Sequence, residues 1–316
     1  MSTSLPSNQS QLQLPNVYSI KNSEQAFSDA FLKAAQILVQ HLKQTLADIG
    51  SIADFTKEPF SLDMLGLFSK MSFHYYSYVL LEIHHDRLGS QFLIEYLRET
   101  AITLAYLLEE GDKYLYSEYV AVSVRQARYL LVAVEEQLSK HPDSPDLLSL
   151  KVQMETVISN QQEHVAQSPL TADDATGRWG PQETNTTAKR GAVVKLDFLA
   201  NPARQIALRV IPASWLELQL FGFSSRANGS WPQARPSINF TDLRDTAHLC
   251  LHVAQILLVE AVNYQDINLP DIERQQKSLN VLYEWFHNAH KVYQQQCTAA
   301  TQETGSSDIG KHGLVI

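Results

Sequence analysis

The sequence is poor in the residues on which many catalytic and binding motifs depend. Only two cysteines occur in 316 residues, Cys250 and Cys297, and neither belongs to a Cys-x-x-Cys pair. A disulfide framework and a cysteine-ligated zinc site are therefore excluded. Glycine occurs only 12 times. No glycine-rich phosphate loop, Rossmann fingerprint or Gly-x-Ser-x-Gly elbow is found. These absences argue against the common nucleotide-binding and hydrolase classes.

Long uninterrupted apolar runs and a secretory leader are also missing. The first residues, MSTSLPSNQSQLQLPN, lack the basic region and the apolar core of a signal peptide. The most apolar stretch, HLCLHVAQILLVEAVNY, is interrupted by His252, Gln255 and Glu260 and is short for a bilayer span. We therefore expect a soluble protein without a membrane span, located in the cytoplasm.

Positive charge is in deficit. The formal net charge is −9 and the isoelectric point is near 5.6. An acidic molecule repels phosphate backbones, which makes general binding to nucleic acid an unfavourable hypothesis. The hydrophobic fraction of 44% is ordinary for a globular protein.

The sequence does contain repeated helical periodicity. Phe27, Phe31, Ala34, Leu38 and Leu42 keep a spacing of three or four residues after a Ser23 cap. No long stretch alternates with period two. The predicted helices cover approximately residues 23–50, 61–85, 90–110, 113–141, 144–164, 202–225, 242–264 and 269–297. The pattern predicts an all-α bundle of about seven or eight helices.

Three segments lack this periodicity. Residues 1–22 and 298–316 are predicted to be disordered tails, and residues 23–297 a single helical-bundle domain. Within the domain, residues 166–191 form a long polar loop around Trp179. Such a loop is either disordered or a functional lid, and disorder is the commoner outcome.

A polar seam between helices is one candidate site. The predicted helix 90–110 carries a stripe containing Leu97 and Leu104, but aromatic residues also flank Glu95 and Glu99 on the opposite face. We expect such a helix to pack against other helices on two sides. Its charged residues would then lie in partly buried seams between helices. The residues of the candidate seam are Glu95, Arg98, Glu99, Arg226, Asn228, Arg244 and His248. A neutralised ion pair between helices is the simpler interpretation.

Two Glu-x-x-His motifs raise the alternative of a metal site. Glu82 with His85, and Glu284 with His287, place a carboxylate and an imidazole on one helix face. Helical bundles that hold two metal ions use two such motifs with further glutamates. Chance pairs are expected at this composition, so we predict no bound cofactor and keep these four residues as the alternative.

Three segments resemble known families. The spacing of Arg244 and His248 is similar to the Arg-x(4–6)-His pattern of helical nuclease domains of the higher-eukaryote-and-prokaryote nucleotide-binding type, although only three residues intervene here. ETAITLAYLLEEGD and WLELQLFGFSSRANGSW resemble two conserved segments of a family of uncharacterised, mostly bacterial helical proteins. That family has a histidine where this chain has Asn228. The resemblance spans about residues 60–265 and implies a helical fold, without an activity.

These observations favour a non-enzymatic interaction or regulatory module that binds a protein partner or associates with itself. Two alternatives stay open. The first is a nuclease-like effector at the polar seam, and the second is a di-metal carboxylate bundle.

Overall fold

The computed structural model describes residues 13–20, 23–52, 55–111, 113–161, 179–181, 183–196, 239–263 and 269–304. The fold is all-α, and the described residues contain no strand. The α-helices are α1 (Glu24–Gly50), α2 (Pro59–Ile83), α3 (Arg87–Glu110), α4 (Lys113–Lys140), α5 (Pro145–Asn160), α6 (Thr187–Val193), α7 (Phe240–Val262) and α8 (Leu269–Thr304). The predicted helix at about 202–225 lies outside the described residues.

The chain forms two compact units. Residues 1–101 and 199–316 build the first unit, and residues 102–198 build the second. The boundary falls within α3, between Ala101 and Ile102. The assignment of residues 23–297 to a single domain stays a prediction.

The first unit is built around α7, which packs against α1, α2 and α8. Its apolar residues occur on nearly all sides of the helix, and most are fully buried. Such a helix belongs in the centre of a bundle. Phe31 of α1 lies beside it, with ring centroids 5.1 Å from Phe240 and 5.5 Å from Trp285. Aromatic packing therefore closes the junction of α1, α7 and α8.

Among the described helices, α7 alone is long and apolar enough to cross a membrane, being 23 residues long. It is longer than the apolar run recognised in the sequence because its first turns precede that run. In this fold 61% of its most apolar window is buried by protein.

Helix starts follow their sequence signals. The Ser23 side chain accepts a hydrogen bond from the Ala26 amide at α1, and Ser144 does the same for Leu147 at α5. Pro59 occupies the first turn of α2, two residues before the predicted start. His85, two residues after the end of α2, has a positive φ of 58°. This backbone conformation is unusual for a residue other than glycine.

Two described segments extend beyond the predicted domain boundaries, and the boundaries themselves stay predictions. Residues 17–19, placed in a disordered tail, form a short 3₁₀ helix, and the Trp285 indole donates a hydrogen bond of 2.8 Å to the Pro15 carbonyl. At the other end, α8 continues to Thr304, although a tail was predicted from residue 298. A local pattern does not show that a polar segment is held by contacts made far away in the chain.

The second unit contains the end of α3 with α4, α5 and α6. Its core is formed by Ile102, Leu104, Leu107, Val120, Val124, Trp179 and Leu196. The predicted loop 166–191 is only partly described here, and its end is structured. Residues from Thr187 onward form α6, where Gly191 lies close to the Ile102 side chain; a Cβ at this position would be 3.1 Å from Ile102 Cδ1.

Candidate functional site

Two charged residues of the predicted seam lie together on α3. The Arg98 Nε is 3.8 Å from the Glu95 Oε2. The Arg98 residue is only 6% exposed. Its Nε and Nη1, and the Glu95 Oε1, have no hydrogen-bond partner among the described residues. This pair is long for an ion pair, and it leaves much of a buried guanidinium unsatisfied.

Among the other described seam residues, none forms a hydrogen bond or an ion pair with Arg98 or Glu95. Glu99 is exposed. Arg226 and Asn228 lie outside the described residues. Arg244 and His248 are on α7, where they contact α8 residues instead. Within the described part of the chain, no hydrogen bond or ion pair links Arg98 or Glu95 to Arg244 or His248.

Arg244 belongs to a cluster with His290, a residue that the sequence analysis did not select. Its Nη1 lies 2.8 Å from the His290 Nδ1, and its Nη2 lies 2.6 Å from the Asp245 carboxylate. Arginine only donates, so the His290 Nδ1 accepts and its Nε2 carries the proton. The Nε2 then donates to the Thr241 Oγ1, 3.1 Å away.

This tautomer limits the chemistry of the cluster. A base that activates a hydroxyl must accept its proton, whereas the His290 Nε2 already carries one. Burial, together with the charges of Arg244 and His287, lowers the pKa of His290 to about 4. His290 is therefore a neutral structural imidazole, 3% exposed, and not a base for Thr241.

His248 is a second neutral imidazole one turn from Arg244. Its Nε2 is 3.3 Å from the Tyr283 carbonyl, and its ring stacks on that of Tyr283 at 4.2 Å between centroids. Burial lowers the pKa of His248 to about 4; the hydrogen bond to Tyr283 opposes this shift, and Arg244 adds to it. These contacts tie α7 to α8.

The four candidate metal ligands differ in their exposure to solvent. Glu82 is buried near the end of α2, whereas His85, Glu284 and His287 are exposed. No group of three or more histidine, cysteine, aspartate or glutamate residues with metal-binding geometry occurs in the ranges that the structure covers.

The second unit contains an aromatic cluster around Trp179. The Arg190 guanidinium lies 4.2 Å from the centre of the Trp179 ring, and Tyr119 meets the indole edge-on at 5.2 Å. The Tyr106 hydroxyl donates a hydrogen bond of 2.8 Å to the Thr184 hydroxyl. The Glu118 carboxylate accepts a hydrogen bond from the Gly180 amide. Trp179 is thus an anchor of its segment. In the sequence, the signal for this role was a single tryptophan in a polar loop.

The α4–α5 hairpin, residues 126–160, carries many exposed apolar side chains. The least exposed residues recur at heptad spacing on both helices: Ala127, Leu131, the buried Val134 and Leu138 on α4, and Leu147, Lys151, Met154 and Ile158 on α5. This spacing is that of a coiled-coil seam. None of the residues of α5 is buried. Two helices alone cannot cover their apolar faces.

Large apolar side chains remain on the outside of this hairpin. They are Tyr129, Leu130, Val132, Leu148, Leu150, Val152 and Val157. Contiguous exposed apolar patches on soluble proteins often mark binding or assembly surfaces.

The comparisons with known proteins identify no relative: no family model, curated protein or solved structure matches the chain. The resemblances drawn from the sequence therefore stay predictions.

Proposed function

We propose that this protein is a non-enzymatic interaction module that binds protein through the α4–α5 hairpin. The observation that carries this proposal is α5 itself. It is a 16-residue helix without a buried residue, and it carries four exposed aliphatic side chains, Leu148, Leu150, Val152 and Val157.

The energetics of helices support a partner for α5. An isolated helix of about 15 residues is marginal in water, because most helical stability in proteins comes from packing of an apolar face. Burying a leucine or valine side chain contributes about 1.5–3 kcal/mol relative to leaving it exposed. A partner that covers the hairpin therefore gains affinity from side chains that are already ordered.

The alternatives have less support. In the nuclease-like alternative, Arg244 and His248 would need to act on a substrate. Arg244 is instead engaged by Asp245 and His290, and His248 is stacked under Tyr283. The di-metal alternative requires Glu82 to share a site with Glu284, and no such cluster is found among the described residues.

A binding experiment with matched variants tests the proposal. The hairpin variant combines Leu130→Glu, Val132→Glu, Leu148→Glu and Leu150→Glu. The control combines Val259→Glu and Val281→Glu, which change exposed apolar residues of α7 and α8 outside the hairpin. Each full-length chain is immobilised in extract of its own cells, and retained proteins are quantified by mass spectrometry.

We expect specific proteins, including untagged copies of this chain, to be retained by the wild type and the control but lost with the hairpin variant. Circular dichroism shows that each variant is folded. Equal retention by all three chains, or retention of nothing by the wild type, would overturn the proposal.

A further inference from the structure

The two sides of the α4–α5 hairpin differ in charge. Lys151 of α5 lies 3.0 Å from the Glu135 carboxylate of α4 and 3.7 Å from the Glu155 carboxylate of its own helix. Both glutamates therefore lie on one side of the seam, which we call the charged side.

The residues on the other side follow from helix geometry. Leu130 and Leu150 each precede one of those glutamates by five residues, which at about 100° per residue is about 140° around the helix. They therefore lie across the seam from the glutamates. The same projection places Gln126, Leu130, Ala133 and Gln137 of α4, and Leu150, Gln153 and Val157 of α5, on this side, which we call the uncharged side. Its two charged members, Lys140 and Asp146, lie at the end of the hairpin next to the turn.

Apolar exposure alone does not distinguish the two sides. Val132 and Leu148 lie within about 60° of the glutamates and are as exposed as Leu130 and Leu150. The difference is that the uncharged side carries aliphatic and amide side chains along its centre, while its two charged residues, Lys140 and Asp146, have opposite signs and lie in the helix turns next to the loop. Uncharged surfaces of aliphatic residues ringed by amides suit the centre of a protein interface.

We propose that the uncharged side of the hairpin binds the same side of a second copy of this chain, which forms a two-fold symmetric four-helix bundle. This proposal rests on the function proposed above and names the partner.

The net charge of the protein favours this face for self-association. A chain with a formal charge of −9 repels its own copy over most of its surface. A two-fold interface brings the same patch of both copies together, so any charge near its centre would oppose its like. The central part of the uncharged side carries no charged residue and therefore avoids this repulsion.

The heptad seam provides the geometry for the assembly. Paired hairpins with seams of this spacing pack as left-handed four-helix bundles. In such a bundle, the half-exposed seam residues Leu131, Met154 and Ile158 would become core residues. The apolar residues of the seam would thus form one layer of a two-layer core, whereas Lys151 would keep its ion pairs with Glu135 and Glu155 on the charged side.

The available area is at the lower limit for a specific interface. The 16 residues of α5 span about 24 Å, and two helices side by side are about 20 Å wide. One face of the hairpin is therefore about 500 Å², and two copies bury about 1,000 Å² in total, the usual threshold for specific association. We expect a dimer that dissociates on dilution.

Two matched double variants test the assignment of the side. Leu130→Glu with Leu150→Glu places two acids on the uncharged side. Val132→Glu with Leu148→Glu places two acids on the charged side, at positions of similar exposure: 54% and 38% against 57% and 46%. The mass of each full-length protein is measured by light scattering after size exclusion over a range of concentrations.

The wild type and the Val132→Glu/Leu148→Glu variant are expected to have about twice the 35.6 kDa chain mass at high concentration. The Leu130→Glu/Leu150→Glu variant should remain a monomer, with its dissociation constant raised at least about 100-fold by two buried charges facing two others. Unchanged helical circular dichroism separates dissociation from unfolding.

Three results would overturn the self-association: a monomeric wild type at every concentration, a dimer that survives Leu130→Glu/Leu150→Glu, or equal dissociation by both variants. A monomeric wild type that still retains another protein through the hairpin rejects the second copy and leaves the proposed function standing. A monomer that retains nothing rejects both.

Discussion

The Arg244 Nη1 lies 2.8 Å from the Nδ1 of His290, so a permanently charged side chain holds a buried histidine in its neutral form. Protonating His290 would place two donors against each other and a second charge beside the first. The same reasoning extends to His248, one turn from Arg244 on α7. Both histidines stabilise the fold only while they are neutral.

We therefore predict that the free energy of unfolding decreases as the pH is lowered through the range in which free histidine titrates. The pKa values of His248 and His290 are lowered by burial from 6.5 to about 4. Between about pH 6.5 and pH 4 the unfolded chain binds protons that the native chain does not, so the free energy of unfolding decreases as pH falls. Urea unfolding at a series of pH values measures this slope.

Variants separate these histidines from other titrating groups. The double variant His248→Gln/His290→Gln should have a shallower slope than the wild type below about pH 6.5. His141→Gln changes an exposed histidine in the α4–α5 turn and should retain the wild-type slope. Identical slopes for all three chains would show that the native imidazoles titrate normally.

The helices were predictable because their signals are local. Ser23, Ser144 and Pro145 gave the starts of α1 and α5, and both starts are confirmed. The spacing of Phe27, Phe31 and Leu38 gave the buried face of α1. Caps and periodicity act within a few residues, so a sequence contains them directly.

The candidate sites and surfaces were not predictable to the same extent. The Glu284-x-x-His287 motif made His287 the candidate site residue of α8. The buried histidine of this helix is instead His290, adjacent to the core residue Ala289. Which imidazole meets Arg244 depends on how α7 and α8 pack. Likewise, the capping signals of α5 were read correctly, but they do not reveal that the helix has no buried residue. Both facts depend on how the helices pack in the tertiary structure, which local sequence patterns do not show.

The aromatic junction of the first unit should dominate its stability. Phe31 is fully buried and contacts rings of α7 and α8. Phe31→Ala is expected to lower the free energy of unfolding by about 3–5 kcal/mol, because it leaves a cavity among three aromatic side chains. Denaturant titration measures the change. Phe73→Ala, at a residue 64% exposed on α2, should change stability by less than about 1 kcal/mol.

The Trp179 anchor predicts a local effect in the second unit. Trp179→Ala removes the ring that packs against Tyr119 and Arg190, and it should raise the rate of amide hydrogen exchange in residues 183–196. Exchange in α1 and α7 should stay near the wild-type rate, because local opening is confined to the contacts that are lost. Trp179→Phe retains an aromatic ring and should give a smaller increase. Equal protection in the wild type and Trp179→Ala would contradict the anchor.

The buried guanidinium of Arg98 gives the last prediction. Its Nε and Nη1 lack hydrogen-bond partners among the described residues, and its single ion pair, to Glu95, is 3.8 Å long. Desolvation of a charge costs several kcal/mol, and a pair with this geometry offsets little of it. Replacing both charges, in Arg98→Met/Glu95→Gln, should leave the free energy of unfolding unchanged or raise it by about 1 kcal/mol. Arg274→Met, at an exposed arginine of α8, serves as the control, and its unfolding should match that of the wild type. A loss of more than about 2 kcal/mol in the double variant alone would mean that the Arg98 pair is satisfied in solution, and it would return this part of α3 to the candidate sites.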